Sequence, residues 1–550
     1  MISLSIMLAS LAAAPAVMSA AVHHSHVDTA LQVTTSYGIL QGAISDLESK
    51  VVAYKGIPFA EAPVGQHRWT APTPPARWSG VRNATTFGAD CAQSYSSLGL
   101  FSSGSEDISE DCLFMNIWAP KNATPKSKLP VFFWIYGGRF EGGAGSVPTY
   151  DGSHLAARDM IVVTFNYRMG PFGFLAHPEL QAESKHNSTG NYGIMDQQRA
   201  LDFLRSEVAA FGGDPDHITV GGQSAGSASA LIMMYSPLSS DKIVGCIAES
   251  GARDPHDPET YGLATSHRWM QKALKQGEAF VSEMNVSSIA ELRNVSVEDL
   301  LLYDNSMDSI LDGTLWGEDN VTAIGLVSEP PLWRPVVDGY VLPVGYGESL
   351  RTNSHGNIPI MTGDNLNETS SSDTNITTYK AGYGNIFGNK SDEFFDVYPA
   401  SAEIEATLQN AAFGNDVNRY TTWHWAKDWH SGGAANDVFT YFWNHSPPNQ
   451  TSGAYHGSEL WYTFGNLPTY YNYTWTAYDY ELQKIMGNYW ANFIKTGNPN
   501  GQGLAEFPAS SADKNNTVMW LGDVVGAGQI VDNIDKLPVL QDFFSKNVEW

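Results

Sequence analysis

The sequence predicts an α/β protein built on a large, mostly parallel sheet flanked by helices. Short continuous apolar runs recur along the chain, and stretches with helical spacing separate them. No Pro/Ser/Gly-rich linker, charge run or repeat divides the 550 residues. Length alone would allow roughly two to four domains, so the missing boundaries favour one domain over 21–550.

Residues 1–20 have the pattern of a secretory leader. Leu4 to Val17 is apolar, Ala-rich and uncharged, and small residues at Ser19, Ala20 and Ala21 offer a cleavage point. Leu129 to Tyr136 and Ile161 to Phe165 have the continuous apolar character of strands covered on both faces. Asn191 to Phe211 places Ile194, Ala200, Leu201, Leu204 and Val208 at helical spacing, and Gly212-Gly213-Asp214-Pro215 stops it. His217 to Gly222 reads as a strand, followed at once by a helix of small residues from Ser224. Ile358 to Thr362 and Val438 to Phe442 are further strands, and Tyr478 to Lys495 a long helix. The poorly periodic segment from about 255 to 350 is expected to be a helical insertion or cap.

With 31 basic and 58 acidic residues, the chain carries a net charge of −27. Such a surface repels phosphate backbones and anionic headgroups, which argues against nucleic-acid partners. No apolar run after the leader reaches the roughly 20 residues that span a bilayer. The polar end from Lys546 to Trp550 carries no lipid-anchor signal, so no stable membrane anchor is expected. Thirteen Asn-x-Ser/Thr sequons agree with export. The expected glycan sites are Asn83, Asn122, Asn187, Asn285, Asn294, Asn320, Asn375, Asn389, Asn449 and Asn472. The three cysteines are Cys91, Cys112 and Cys246. Cys246 sits in the apolar run Ile243-Val-Gly-Cys-Ile-Ala and is expected to be buried and inert, which leaves Cys91 and Cys112 as the pair.

The chemistry centres on Gly222-Gln223-Ser224-Ala225-Gly226. A nucleophilic serine on a sharp strand-to-helix turn needs small residues two before and two after it, where side chains would collide with strand and helix. The following helix aims backbone N–H groups and the positive end of its dipole at the reacting centre. The preceding strand and following helix lift this short motif above a surface Gly/Ser turn.

In these and other segments the chain resembles the type-B carboxylesterases and lipases, a family that includes cholinesterases and extracellular fungal esterases. Tyr54-Lys-Gly-Ile-Pro-Phe-Ala, Ser109-Glu-Asp-Cys-Leu, Trp134-Ile-Tyr-Gly-Gly and Gly190-Asn-Tyr-Gly-Ile-Met-Asp-Gln carry the likeness, in the family's order. Phe211-Gly-Gly-Asp-Pro, the serine motif and Gly453-Ala-Tyr-His-Gly-Ser-Glu-Leu complete it. The resemblance implies an α/β-hydrolase fold with helical insertions near the site, and a secreted serine esterase that needs neither cofactor nor metal. Its substrate would be a small-molecule ester. It implies Ser224 as nucleophile, His456 as general base and Glu368 as the acid, with Asp364 as rival to Glu368. The Ser, Glu, His order is that of the α/β-hydrolases.

The resemblance also implies an oxyanion hole from the amides of Gly138, Arg139 and Ala225. Arg139 replaces the third glycine of the family's usual run. Its amide remains, so the hole is expected to survive if φ there lies below zero; its side chain is expected to turn outward onto a surface carboxylate, with a guanidinium reaching the pocket as the alternative. Gln223 stands where Glu is common, which removes a negative charge beside the serine. Two alternative readings are a non-catalytic adhesion protein of the same fold and an interfacially activated lipase. His23-His24-Ser25-His26 is read as a tail rather than a metal site. The aromatic stretches Thr422 to Trp429 and Tyr470 to Trp475 are read as packing. The sequon at Asn367 is expected to stay bare, because a glycan there would crowd Glu368.

Overall fold

The apolar runs of the sequence become neighbouring strands of an 11-stranded sheet in the computed structural model. The structure describes residues 29–94, 100–262, 265–352, 357–368, 373–467, 473–510 and 516–549. The expected leader, the cluster His23 to His26 and Asn472 lie outside the described residues.

In chain order the strands are β1 (Ala43–Ile44), β2 (Val51–Pro58), β3 (Phe114–Pro120), β4 (Leu129–Ile135), β5 (Ile161–Phe165) and β6 (Gly213–Gln223). They continue with β7 (Gly245–Glu249), β8 (Ile360–Asn365), β9 (Val438–Trp443), β10 (Thr517–Leu521) and β11 (Gly526–Gln529). Their order across the sheet is β11-β10-β9-β8-β7-β6-β4-β5-β3-β2-β1. From β10 to β5 every pairing is parallel, and both edges are antiparallel. Parallel strands are covered on both faces, which is why β4 and β5 are so largely apolar. From Val131 to Ile135 no residue of β4 is solvent-accessible.

The long helices packed against this sheet include α1 (Tyr192–Glu207), α2 (Ala225–Tyr235), α3 (Glu403–Ser431) and α4 (Ala477–Thr496). Gly212 ends the turn that follows α1 with φ 93, a conformation that glycine adopts without steric cost. Asp479 and Thr476 form a capping box at the start of α4. The 29-residue α3 carries the stretch from Thr422 to Trp429. Trp425 and Trp429 are fully buried and stack at 5.3 Å, so the aromatic density there is core packing.

The expected insertion is helical, with Met270–Glu283, Ile289–Leu292 and Val297–Leu301 joined by irregular chain. Beside it lies a second apolar core in which Tyr383 stacks on Phe394 at 4.2 Å and Phe413 meets Phe543 edge-on at 5.0 Å. Leu326 belongs to that core and also borders the cavity described below.

Cys91 and Cys112 form a disulfide with their Cα atoms 4.9 Å apart, and Cys246 is free and buried on β7. Among the described residues no helix is long and apolar enough to cross a membrane. Replacing Cys91 and Cys112 together by Ala should lower the unfolding free energy by about 3 kcal/mol, seen as an earlier urea midpoint. Peptide mapping should recover only the Cys91–Cys112 link, and any cross-link to Cys246 would contradict this pairing.

Candidate active site

Ser224 occupies the single residue between β6 and α2, with φ 58 and ψ −123. A non-glycine residue so placed is strained by about 1–3 kcal/mol, so its surroundings must hold it. Its N–H donates to the Glu249 carbonyl on neighbouring β7 at 2.9 Å, and its carbonyl accepts the Ala228 N–H at 3.0 Å. The flanking glycines admit a close approach of backbones. A Cβ on Gly226 would lie 2.0 Å from the Ile135 carbonyl oxygen, and one on Gly222 would lie 2.2 Å from that of Gly226.

The segment after β4 makes a left-handed turn. The Gly138 carbonyl accepts N–H bonds from Glu141 at 2.9 Å and Gly142 at 3.1 Å. This turn corrects the expected backbone of Arg139: it sits at φ 59, between Gly138 at φ 115 and Phe140 at φ 64. Folding the carbonyl back in this sense requires positive φ through the turn, which is the physical use of glycine at such positions. Among the described residues no acceptor takes the N–H of Gly138, Arg139 or Ala225. The expected outward side chain is also corrected in part. Arg139 is 43% exposed, yet its Nε lies 3.4 Å from Oε2 of the buried Glu141 and the residue borders the cavity. Burial pushes the Glu141 carboxyl up to about 7, and the guanidinium opposes that rise.

Glu368 and His456 come from the loops after β8 and β9, two adjacent strands. The loops are fastened together: Asn367 N–H donates to the Ala454 carbonyl at 3.0 Å, and Ala454 N–H returns a bond to Asn367 Oδ1 at 2.9 Å. Asn365 Nδ2 donates to the Tyr455 carbonyl at 2.8 Å and to the buried carboxyl of Glu459. Across this clamp His456 Nδ1 pairs with Glu368 Oε2. The other oxygen of Glu368 accepts from Ser250 Oγ at 2.5 Å and Asn365 N–H at 2.6 Å.

Burial opposes charge on Glu368, but the imidazole and these bonds outweigh it and hold the carboxyl below its ordinary value. Burial likewise opposes the imidazolium, and Glu368 more than compensates, so His456 is raised. Asp364, the rival acid, is buried and bonded by Thr422 Oγ1, and burial pushes it up to about 7.

Ser224 and His456 line the same cavity of about 310 Å³, together with Gly138, Arg139, Ala225 and Glu368. They are not hydrogen-bonded to each other. His456 Nε2 instead meets the Gln223 side-chain amide nitrogen at 3.0 Å. Catalytic contacts are often loose until substrate binds. From the disulfide loop, Phe101 packs at 6.5 Å from the His456 ring.

The sequence reading missed Ser250, Asn365 and Glu459, which organise the acid and base, and Arg253 and Glu259, which line the cavity. Their types carry no signal alone. Ser250 directly follows an apolar strand run, and Glu459 lies within the His456 segment, which are the places where a search could have started.

Residues 29–527 match the family model described as the carboxylesterase family. The chain belongs to the carboxylesterase family. It is 32% identical over 507 residues to the fumonisin B1 esterase of Sphingopyxis macrogoltabida, covering 89% of this chain and 86% of that protein. It is 32% identical over 501 residues to the para-nitrobenzyl esterase of Bacillus subtilis (strain 168), covering 88% and 94%. A solved PNB esterase superimposes with TM-score 0.72 at 30% identity, covering 94% of this chain and 100% of that one. A carboxylesterase of Geobacillus stearothermophilus gives 0.70 at 29% identity, covering 93% and 99%. The fold is that of the α/β-hydrolases, and the protein is an enzyme, a carboxylic-ester hydrolase.

Gly226→Ala should destabilise this carboxylesterase by about 2–3 kcal/mol or more, because the added methyl meets backbone rather than a movable side chain. Thermal and urea unfolding would measure it, and a variant as stable as wild type would contradict the close packing at the turn.

Proposed function

We propose that the protein is a secreted esterase that works through an acyl-serine on Ser224, with His456 and Glu368 as base and acid. The observation that carries this reading is the Glu368–His456 pair, which shares one cavity with a serine on a strained strand-to-helix turn.

A serine hydroxyl attacks an ester carbonyl only as a base removes its proton. His456 Nε2 takes that proton, which requires the Gln223 amide to yield the position it holds at 3.0 Å. Glu368 on Nδ1 fixes the tautomer and stabilises the imidazolium. The carbonyl oxygen, now negative, receives the amides of Gly138, Arg139 and Ala225, each worth about 3 kcal/mol to the transition state. His456 returns the proton to the departing alcohol. Water then enters and attacks the acyl carbon as it loses a proton to the same imidazole, which passes that proton to Ser224 Oγ as the acyl–oxygen bond breaks and the acid leaves.

Export rests on the leader pattern at 1–20 and on the sequons. Asn83, Asn122, Asn187, Asn285, Asn294, Asn375, Asn389 and Asn449 are exposed, and Asn320 is half-buried. Asn367 is spent in the loop clamp, where its Oδ1 accepts the Ala454 N–H. That supports a bare side chain there.

Ser224→Ala should lower kcat by several orders of magnitude while the protein still folds, and a phosphonate ester should label Ser224 in wild type. Glu368→Gln should lower kcat about 10⁴-fold, whereas Asp364→Asn should cost less than about tenfold. Because Glu368 raises His456 and the base works as neutral imidazole, wild-type kcat/KM should fall as pH drops through a value above the ordinary ~6.5. That acidic limb should move to lower pH in Glu368→Gln. The reverse ranking of the two carboxyl variants would transfer the acid role to Asp364.

Expression in a eukaryotic secretory host should yield medium protein whose N-terminus starts near Ala21 and whose mass falls on endoglycosidase treatment. Retention inside the cell with Met1 intact, or a fully occupied Asn367, would overturn the corresponding part of the reading.

A further inference from the structure

One wall of the cavity holds buried polar atoms that the ester chemistry does not use. Arg253 borders the cavity and is itself almost wholly buried. Each of its three guanidinium nitrogens already donates: Nε to Asp257 at 2.7 Å, Nη1 to Asn418 Oδ1 at 2.9 Å, and Nη2 to Glu259 Oε2 at 2.6 Å. Its charge is balanced by Asp257, and each of its nitrogens is engaged. A substrate carboxylate therefore finds no free cation on this wall, and it would face Asp364 and Glu368 across the same space.

Glu259 and Thr265 are different. They are 4% and 2% exposed, and both line the cavity. Glu259 Oε1 and Thr265 Oγ1 have no hydrogen-bond partner among the described residues. Unpaired buried polar atoms are rare in native proteins, and each one calls for an explanation. Gln223 Oε1, also unpartnered among the described residues, lies beside the nucleophile, whereas Glu259 and Thr265 share the lining with the apolar Ala228, Leu326 and Pro331. A few placed polar groups in an apolar pocket are what fixes a ligand's orientation.

We propose that the Glu259–Thr265 wall is a specificity site that reads an uncharged oxygen on the substrate, so that preferred esters carry a carbonyl, ether or hydroxyl oxygen away from the scissile bond. The inference rests on the cavity being the site of ester hydrolysis. Burial first, and then the charges of Asp257, Asp364 and Glu368 against that of Arg253, push the Glu259 carboxyl up to about 8. Its Oε2 is occupied by Arg253, so Oε1 is the oxygen free to meet a ligand, and a carboxyl raised in this way can offer it as a donor. Thr265 adds a second hydroxyl donor. A hydrocarbon chain in the same place leaves both groups unpaired, and sites built to bond an oxygen discriminate strongly against analogues that lack it.

The test compares matched ester pairs with wild-type enzyme. One pair is p-nitrophenyl hexanoate and its analogue with a ketone near the chain end. The other is hexyl acetate and the matching keto-alcohol acetate, which asks the same question of the alcohol side. In one pair the oxygenated ester should have the higher kcat/KM by about tenfold or more. That ratio should fall toward one in Glu259→Leu and in Thr265→Val, and should persist in Glu259→Gln, which keeps a donor. Should Glu259→Leu fail to fold, Thr265→Val alone decides. Ratios near one in both pairs, with brisk hydrolysis of the plain esters, would overturn the specificity site and leave the esterase reading intact. No hydrolysis of any of the four would overturn both.

Discussion

The structure depends on one close backbone crossing, where the turn at Ser224 passes between β4 and β7. Glycine at 222 and 226 lets α2 start hard against the end of β4, with no room for a methyl between them. The bond from Ser224 N–H to the Glu249 carbonyl then ties the turn to β7. Buried parallel strands have little freedom to shift, so the strain at Ser224 is held by the sheet rather than by the turn itself. The same crossing sets the Gly138 turn beside the serine, since a Cβ on Gly137 would lie 2.4 Å from the Gln223 carbonyl oxygen.

Around this crossing the protein concentrates acid. Glu249, Asp257, Glu259, Asp364, Glu368 and Glu459 are all buried, with Arg253 and His456 as the basic groups among them. They cannot all ionise in so small a volume. Burial raises Glu249 and Glu259 to about 8 and Asp364 to about 7, while Glu368 is held low by the imidazole and its hydrogen bonds. Among these carboxyls the one that faces the base is held low, whereas burial favours the neutral form of Glu249, Glu259 and Asp364.

Much of this was legible in the sequence. The runs at Leu129–Ile135 and Ile161–Phe165 announce their strands because both faces are buried, and Gly212 announces the end of the turn after α1. The antiparallel strands β2 and β3 were less legible as strands, since Lys55 with Gly56 and Asn116 interrupt their apolar runs. The helix α3 was hidden because its aromatic density follows two cores rather than one face. Ser224, His456 and Glu368 could be named from their motifs. The backbone of Arg139 could not, since φ there is dictated by a carbonyl folding back within the turn. Glu259 and Thr265 were equally invisible, because their meaning lies in the partners they lack in three dimensions.

The loop closed by Cys91 and Cys112 carries Phe101 near its midpoint, and that ring rests beside His456 in space that Gly457 leaves open. The bond that closes this loop therefore also helps set the aromatic edge of the cavity. Chain stability and the shape of the reaction cavity are thus tied to one bond.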